Sequence, residues 1–223
     1  MKRGSPSSAE EAYQALKAML MRYELVPGQR LKHRELAARI GVSVVPLREA
    51  FARLVQEGYL RHVPRGGYSV QEIGLDEAEE LFDVREALEV FALARAIEHG
   101  DPGAFRRVER ANARYAREVR RPLRKERLVQ DMEFHLAIAR LAGNRLLAEV
   151  LEGVFTRIVL KRKLEGLVTA QRAGESLAEH REIVRALRAG NAALAVKAMR
   201  RHIRGAREFV VGHLRALEAL RHG

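Results

Sequence analysis

Between Tyr59 and Ile73 the chain carries its only clear β signal. Two short runs, Tyr59–Pro64 and Tyr68–Ile73, flank Arg65-Gly66-Gly67 and read as a Gly-tipped hairpin. Everything else reads as helix, so a 223-residue chain with a single hairpin must build nearly all its cores from helices. Ahead of the hairpin, Ser8 is placed as an N-cap with Glu10 and Glu11 in the first turn, and Ala12, Leu16, Met19 and Leu20 mark one apolar face. Val26-Pro27-Gly28 is a turn. A second helix is expected from about His33 to Gly41. A third, capped by Ser43, carries Leu47, Phe51, Leu54 and Val55 on one face and stops at Gly58.

Helix, turn, helix and hairpin in this order is the winged form of the helix-turn-helix. In that arrangement Ala37 and Ala38 permit close helix crossing, Gly41 supplies a positive φ at the sharp turn, and Val42 fills the space between the helices. Such a unit lays the N-terminal end of its recognition helix in the major groove, where base edges are distinguishable. Gly74 marks a domain boundary. Beyond it, helices are expected at about 76–99, 102–120, 122–142, 145–166, 174–189 and 191–220, with Asp101-Pro102 as a firm N-cap and N1 pair. The predicted organisation is a flexible tail over 1–7, a winged helix-turn-helix over 8–73, and an all-helical domain over 74–223. The fold class is mainly α, the second domain being an antiparallel helical bundle.

Composition narrows the partners. The formal net charge of +12 favours a polyanion, nucleic acid first and acidic membrane second. The absence of Cys excludes disulfides, thiolate zinc sites and Cys nucleophiles. No apolar run has signal-peptide or membrane-spanning length, so a cytoplasmic protein without a membrane partner is expected. The stretch from Arg106 to Arg127 holds ten Arg or Lys and three Glu. It reads as a solvated helical face rather than a second DNA surface.

The head resembles the GntR family. Pro27-Gly28-Gln29-Arg30-Leu31, Arg34-Glu35-Leu36-Ala37, Gly41-Val42-Ser43 and Pro46-Leu47-Arg48-Glu49-Ala50 follow its signature in order, and Gly58-Tyr59-Leu60 and Arg65-Gly66-Gly67-Tyr68-Ser69-Val70 continue it into the wing. The resemblance implies DNA contacts from Arg34, Ser43, Val44, Arg48, Arg65 and Gly66. Arg34 and Arg48 would meet guanine or phosphate, Ser43 a phosphate, and Gly66 would bring the wing tip near the minor groove. Val44 and Val45 stand where many relatives carry Arg and Thr, so apolar contact with thymine methyls replaces one base contact.

In the helical half, Asp131 and His135 lie four residues apart, on one helix face and within reach of one ion. His180 opens the next helix but one, and His202 lies in the last. One carboxylate and three imidazoles suit Zn²⁺, Ni²⁺, Mn²⁺ or Fe²⁺. Taken singly, each His reads as a surface or core residue. This half, following such a head, resembles the FCD effector domain of the FadR subfamily, and that resemblance implies Asp131, His135, His180 and His202 as one metal site. It also implies an effector role for Arg85, whose alternative is a pair with Glu89. Asn144 reads as a helix cap. The function expected is a ligand-responsive regulator and not an enzyme: a homodimer on double-stranded operator DNA, a repressor released by a small organic or sugar acid at the metal. The alternatives are a metal-dependent hydrolase, with Glu133 or Glu179 as base, a metal-sensing regulator, and a nonspecific DNA-coating protein.

Overall fold

The computed structural model describes residues 8–64, 66–99, 101–122, 125–162 and 169–222. The tail over 1–7 and the wing-tip residue Arg65 lie outside them. The described residues form nine helices and three short strands: α1 Ser8–Met21, β1 Arg30–Leu31, α2 His33–Ile40, α3 Val44–Gln56, β2 Leu60–His62, β3 Tyr68–Val70, α4 Leu75–His99, α5 Pro102–Val119, α6 Glu126–Leu141, α7 Arg145–Lys161, α8 Ala170–Arg188 and α9 Ala192–His222. Two compact units are distinguished. The first is the chain up to Glu72, with the short segment beginning at Leu160 grouped with it, and the second starts at Ile73.

In the first unit α1 packs on α3, and α2 on α3. Leu16, Leu20, Leu47, Phe51 and Leu54 are fully buried at helical spacing, so each helix turns one apolar face into a shared core. Gly41 closes α2 in the left-handed region at φ 82°, and its N–H returns to the carbonyl of Ala37. Ala37 is buried at this crossing but Ala38 is exposed, so only one of the two expected small residues serves it. Val42 packs against the core as expected.

The expected hairpin forms, with Leu60 opposite Val70 and His62 opposite Tyr68. It is not the whole sheet. Arg30–Leu31 adds a third strand on the far side of β3, pairing with Ser69 and Tyr68. Two residues are too few for an alternation pattern, so this strand comes from tertiary pairing and not from local preference.

In the second unit α4 packs against α9, α9 against α8, α8 against α5 and α5 against α6, with α4 also meeting α6. Asp101 caps α5 by accepting from the N–H groups of Gly103 at 3.1 Å and Ala104 at 2.9 Å. On α5 the buried residues are Ala104, Val108, Ala111 and Tyr115, while Arg106, Arg107, Arg110, Arg117 and the C-cap Arg120 are exposed. Up to Arg121 the basic run is a largely solvated face, as expected, but at its far end Lys125 and Arg127 are buried, against expectation. Asn144 caps α7 by accepting from Leu147 N–H at 3.0 Å.

Three boundaries differ from expectation, one being the end of α7, which falls at Lys161 rather than 166. Helix α8 starts at Ala170, not at 174, because Thr169 caps it by accepting from Arg172 N–H at 3.1 Å and Gly174 is absorbed as an interior residue. His180 therefore sits mid-helix rather than at the opening. Helix α6 starts at Glu126 instead of 122. Among the described residues no helix is long and apolar enough to cross a membrane.

Candidate functional site

Four side chains from three helices converge inside the second unit: Asp131 and His135 on α6, His180 on α8 and His202 on α9. One donor atom from each lies within 4.8 Å of the others. The i,i+4 spacing puts the first two on one face, and the contact of α8 with α9 brings the other two together. His135, His180 and His202 are buried, and Asp131 is half-buried. The Nε2 of His202 is 3.3 Å from that of His180 and 3.2 Å from that of His135. Asp131 reaches Nε2 of His180 at 3.5 Å and of His135 at 3.9 Å.

This donor set fits a divalent transition ion. Three imidazole nitrogens facing one another cannot all carry protons, and three bare lone pairs at such separations repel. Nitrogens about 2.0–2.1 Å from one common ion stand roughly 3 Å apart, close to the separations of His202 from His180 and from His135. Burial pushes the His180 imidazolium well below the ordinary range, and its neighbours His202 and His135 lower it further. Burial likewise lowers His202, overriding the bond to Glu179. Both rings are therefore held neutral, the form that ligates a metal.

The surroundings fix the rings. His180 stacks on Phe134 with centroids 3.9 Å apart, and the ring of Tyr115 stands 4.8 Å away. His135 stacks on Phe155 at 5.2 Å. Burial and the charge of Asp131 raise the Tyr115 phenol, so it stays protonated. Glu89 on α4 contacts Nδ1 of His135 with one oxygen and accepts from Arg85 Nε at 2.8 Å with the other. Burial alone would raise its carboxyl, but the neighbouring His135 and the Arg85 guanidinium bring it down to about 2. Glu179 accepts from Nδ1 of His202 at 2.7 Å and from Arg172 at 2.9 Å.

The sequence placed the four convergent residues, and of their supports it offered only the Arg85–Glu89 pair, as the alternative reading of Arg85. Arg85 was expected to face the effector; its Nε is bonded to Glu89, and only Nη2 is buried without a partner. The i,i+4 spacing signalled that pair. The partnership of Glu179 with His202 had no local signal, since it depends on how α8 meets α9. Glu133 pairs with Arg140 at 3.3 Å and Glu179 is doubly bonded, so neither stands free as a general base.

On the first unit Arg34, Ser43, Val44 and Arg48 are all exposed, with Val45 beside them 67% exposed. Arg34, Val44 and Arg48 line one concavity of about 510 Å³ with Lys32, His33 and Glu35. Lys32 is engaged by Glu35 at 2.8 Å. Ser43 occupies the N-cap position of α3 but makes no side-chain cap bond, contrary to expectation. Its hydroxyl is left for another acceptor or donor. Gly66 at the wing is exposed at φ 83°.

Residues 8–70 match the gntR family of bacterial regulatory proteins, and residues 80–205 match the FCD domain. A Streptomyces ambofaciens protein described as an uncharacterized HTH-type transcriptional regulator in an unstable DNA locus is 31% identical over 199 residues, covering 89% of this chain and 83% of that protein. The Bacillus subtilis regulator YdhC is 28% identical over 172 residues, covering 77% of this chain and 76% of its own. The fold is that of E. coli McbR/YncC, with a TM-score of 0.78 at 22% identity, covering 94% of this chain and 99% of that one.

Proposed function

The chain belongs to the gntR family of bacterial regulatory proteins and carries an FCD domain, and from that premise we propose that it is a metal-centred, acid-responsive repressor. It is a ligand-responsive DNA-binding transcriptional regulator rather than an enzyme, a reading supported by its two domains and by relatives described as HTH-type transcriptional regulators. The observation that carries the finer reading is the convergence of three imidazole Nε2 atoms and one carboxylate in a buried site of the effector domain.

Asp131, His135, His180 and His202 hold Zn²⁺, Ni²⁺, Mn²⁺ or Fe²⁺. An ion bound there supplies a Lewis-acidic position for one oxygen of a small organic or sugar acid. Arg85 offers Nη2, its unpartnered buried N–H group, to the acid's carboxylate. Phe134 and Phe155 line the rings and keep water out.

At the head, Arg34 and Arg48 read or clamp the major groove, Val44 meets a thymine methyl, and Ser43 reaches a phosphate. Arg65 and Gly66 approach the minor groove at the wing. Two copies of the chain bind a pseudo-palindromic operator, one head per half-site. Binding of the acid favours the conformation with weak operator affinity. Moving occupancy from mostly bound to mostly free needs a differential affinity of about 5.5 kcal/mol.

The test is selection of an operator from a random duplex library by purified protein, followed by metal analysis of the same protein. A palindromic consensus and about one transition ion per chain are expected. Binding without sequence preference at physiological salt would return the protein to a nonspecific DNA-coating role. A large change in operator affinity on metal titration alone, with no acid, would make the ion itself the signal.

A further inference from the structure

Each imidazole in the buried cluster has two ring nitrogens, and the metal reading uses only Nε2. What holds Nδ1 differs among the three rings. His135 Nδ1 and the nearer oxygen of Glu89 are in ion-pair contact but out of hydrogen-bond alignment, and Glu89, 2% exposed, is tied on its other oxygen to Arg85 at 2.8 Å. His202 Nδ1 meets Glu179 at 2.7 Å, and Glu179 is held at both oxygens by Arg172, at 3.2 Å and 2.9 Å. His180 Nδ1 is buried without a partner, and that ring is fixed by its stack on Phe134.

Two of the three rings thus share one arrangement, Arg–Glu–Nδ1, built from different helices. Arg85 and Glu89 stand four apart on α4, and Arg172 and Glu179 seven apart on α8. An ionised carboxylate can only accept, so Nδ1 must carry the proton and Nε2 must present its lone pair. That selects one tautomer and one ring orientation before any ion arrives. A purely structural ion pair would need neither the short approach to Nδ1 nor its repetition on a second helix.

We infer that Glu89 and Glu179 are the positioning residues of the cluster, each anchored by its own arginine, and that they set its affinity for metal. The inference rests on the reading of Asp131, His135, His180 and His202 as a metal centre. It gives Arg85 a second duty: Nε anchors Glu89, and the buried Nη2 is left for the effector. An acid that draws on Arg85 therefore acts on the same carboxylate that orients His135.

The test uses the full chain loaded with Zn²⁺. Zinc affinity is measured by competition with a chromophoric chelator, and ¹⁵N-histidine spectra report which ring nitrogen is protonated. Glu89→Gln and Glu179→Gln should each weaken zinc binding by about 10–100-fold. Each should also displace one low-field Nδ1–H resonance, His135 for the first and His202 for the second. Glu133→Gln, on a surface pair with Arg140, should change neither readout.

Because Glu89→Gln leaves Arg85 charged and buried, Arg85→Met/Glu89→Gln is made alongside it. Glu179→Gln is the safer fold, since Glu175 also lies 3.4 Å from Arg172. Zinc binding as tight in folded Glu89 and Glu179 variants as in the parent overturns the inference while leaving the metal centre standing. So does ligation of His135 or His202 through Nδ1. A parent protein that binds no zinc, nickel, manganese or iron overturns the metal reading, and this inference with it.

Discussion

The Nε2 atoms of His180 and His202 stand 3.3 Å apart inside the helical unit, on two helices that meet only after the chain has folded. Neither ring can be charged cheaply there, because burial lowers both. The pair is costly without a shared cation and favourable with one, so metal binding and folding stability are linked. His180→Ala or His202→Ala should abolish tight metal binding and the stabilisation that comes with it. At metal one hundred times its dissociation constant, that stabilisation is about 2.7 kcal/mol. Calorimetry with and without chelator checks it: the parent's melting temperature falls on chelation, and the variants' does not move.

At the head, Arg48 projects from the exposed tip of α3 and shares a concavity with Arg34 and Val44. Arg48→Ala should cost operator binding about 1–3 kcal/mol and random duplex much less. Anisotropy titrations on both duplexes over a range of salt decide the matter. Equal losses on both, with a shallower salt slope, would make Arg48 a phosphate contact.

Much of this was legible in the sequence because its signals are local. The Asp101-Pro102 start, the Gly41 stop and the i,i+4 spacing of Asp131 and His135 each lie within a turn of helix. What sequence reading missed depends on pairing across distance. Strand β1 is two residues long and exists because β3 accepts it. Helix α8 begins at Ala170 because Thr169 caps it more effectively than Gly174 interrupts it. Glu179 looked like a spare base beside His180, whereas on a helix neighbouring residues point apart, and it turns to His202 on α9 instead.

Lys125, at the N-terminal end of α6, is 3% exposed, and burial lowers its ammonium from 10.5 to about 7. The folded value lies below the unfolded one, so the folded state binds fewer protons between pH 7 and 10.5. Stability contributed at this residue therefore rises with pH across that window and is flat below it. Lys125→Met should remove this pH dependence. Urea titrations of both proteins at pH 7 and 10 check the sign: the parent should gain stability relative to the variant at the higher pH.

The core of the head carries its own expectation. Leu47 is fully buried on the inner face of α3 among Leu16, Leu20 and Phe51. Leu47→Ala should destabilise the first unit by about 2–5 kcal/mol. Operator affinity should fall in step with the unfolded fraction, while the metal content stays that of the parent. Metal lost in parallel would tie the two units more closely than this account does.

The most direct test is operator affinity measured against a panel of small organic and sugar acids, with metal-loaded parent protein and with His180→Ala/His202→Ala. At least one acid should weaken the parent's operator binding tenfold or more, and the same acid should leave the double variant's affinity unchanged. An acid response of equal size in parent and double variant would contradict the metal-centred mechanism.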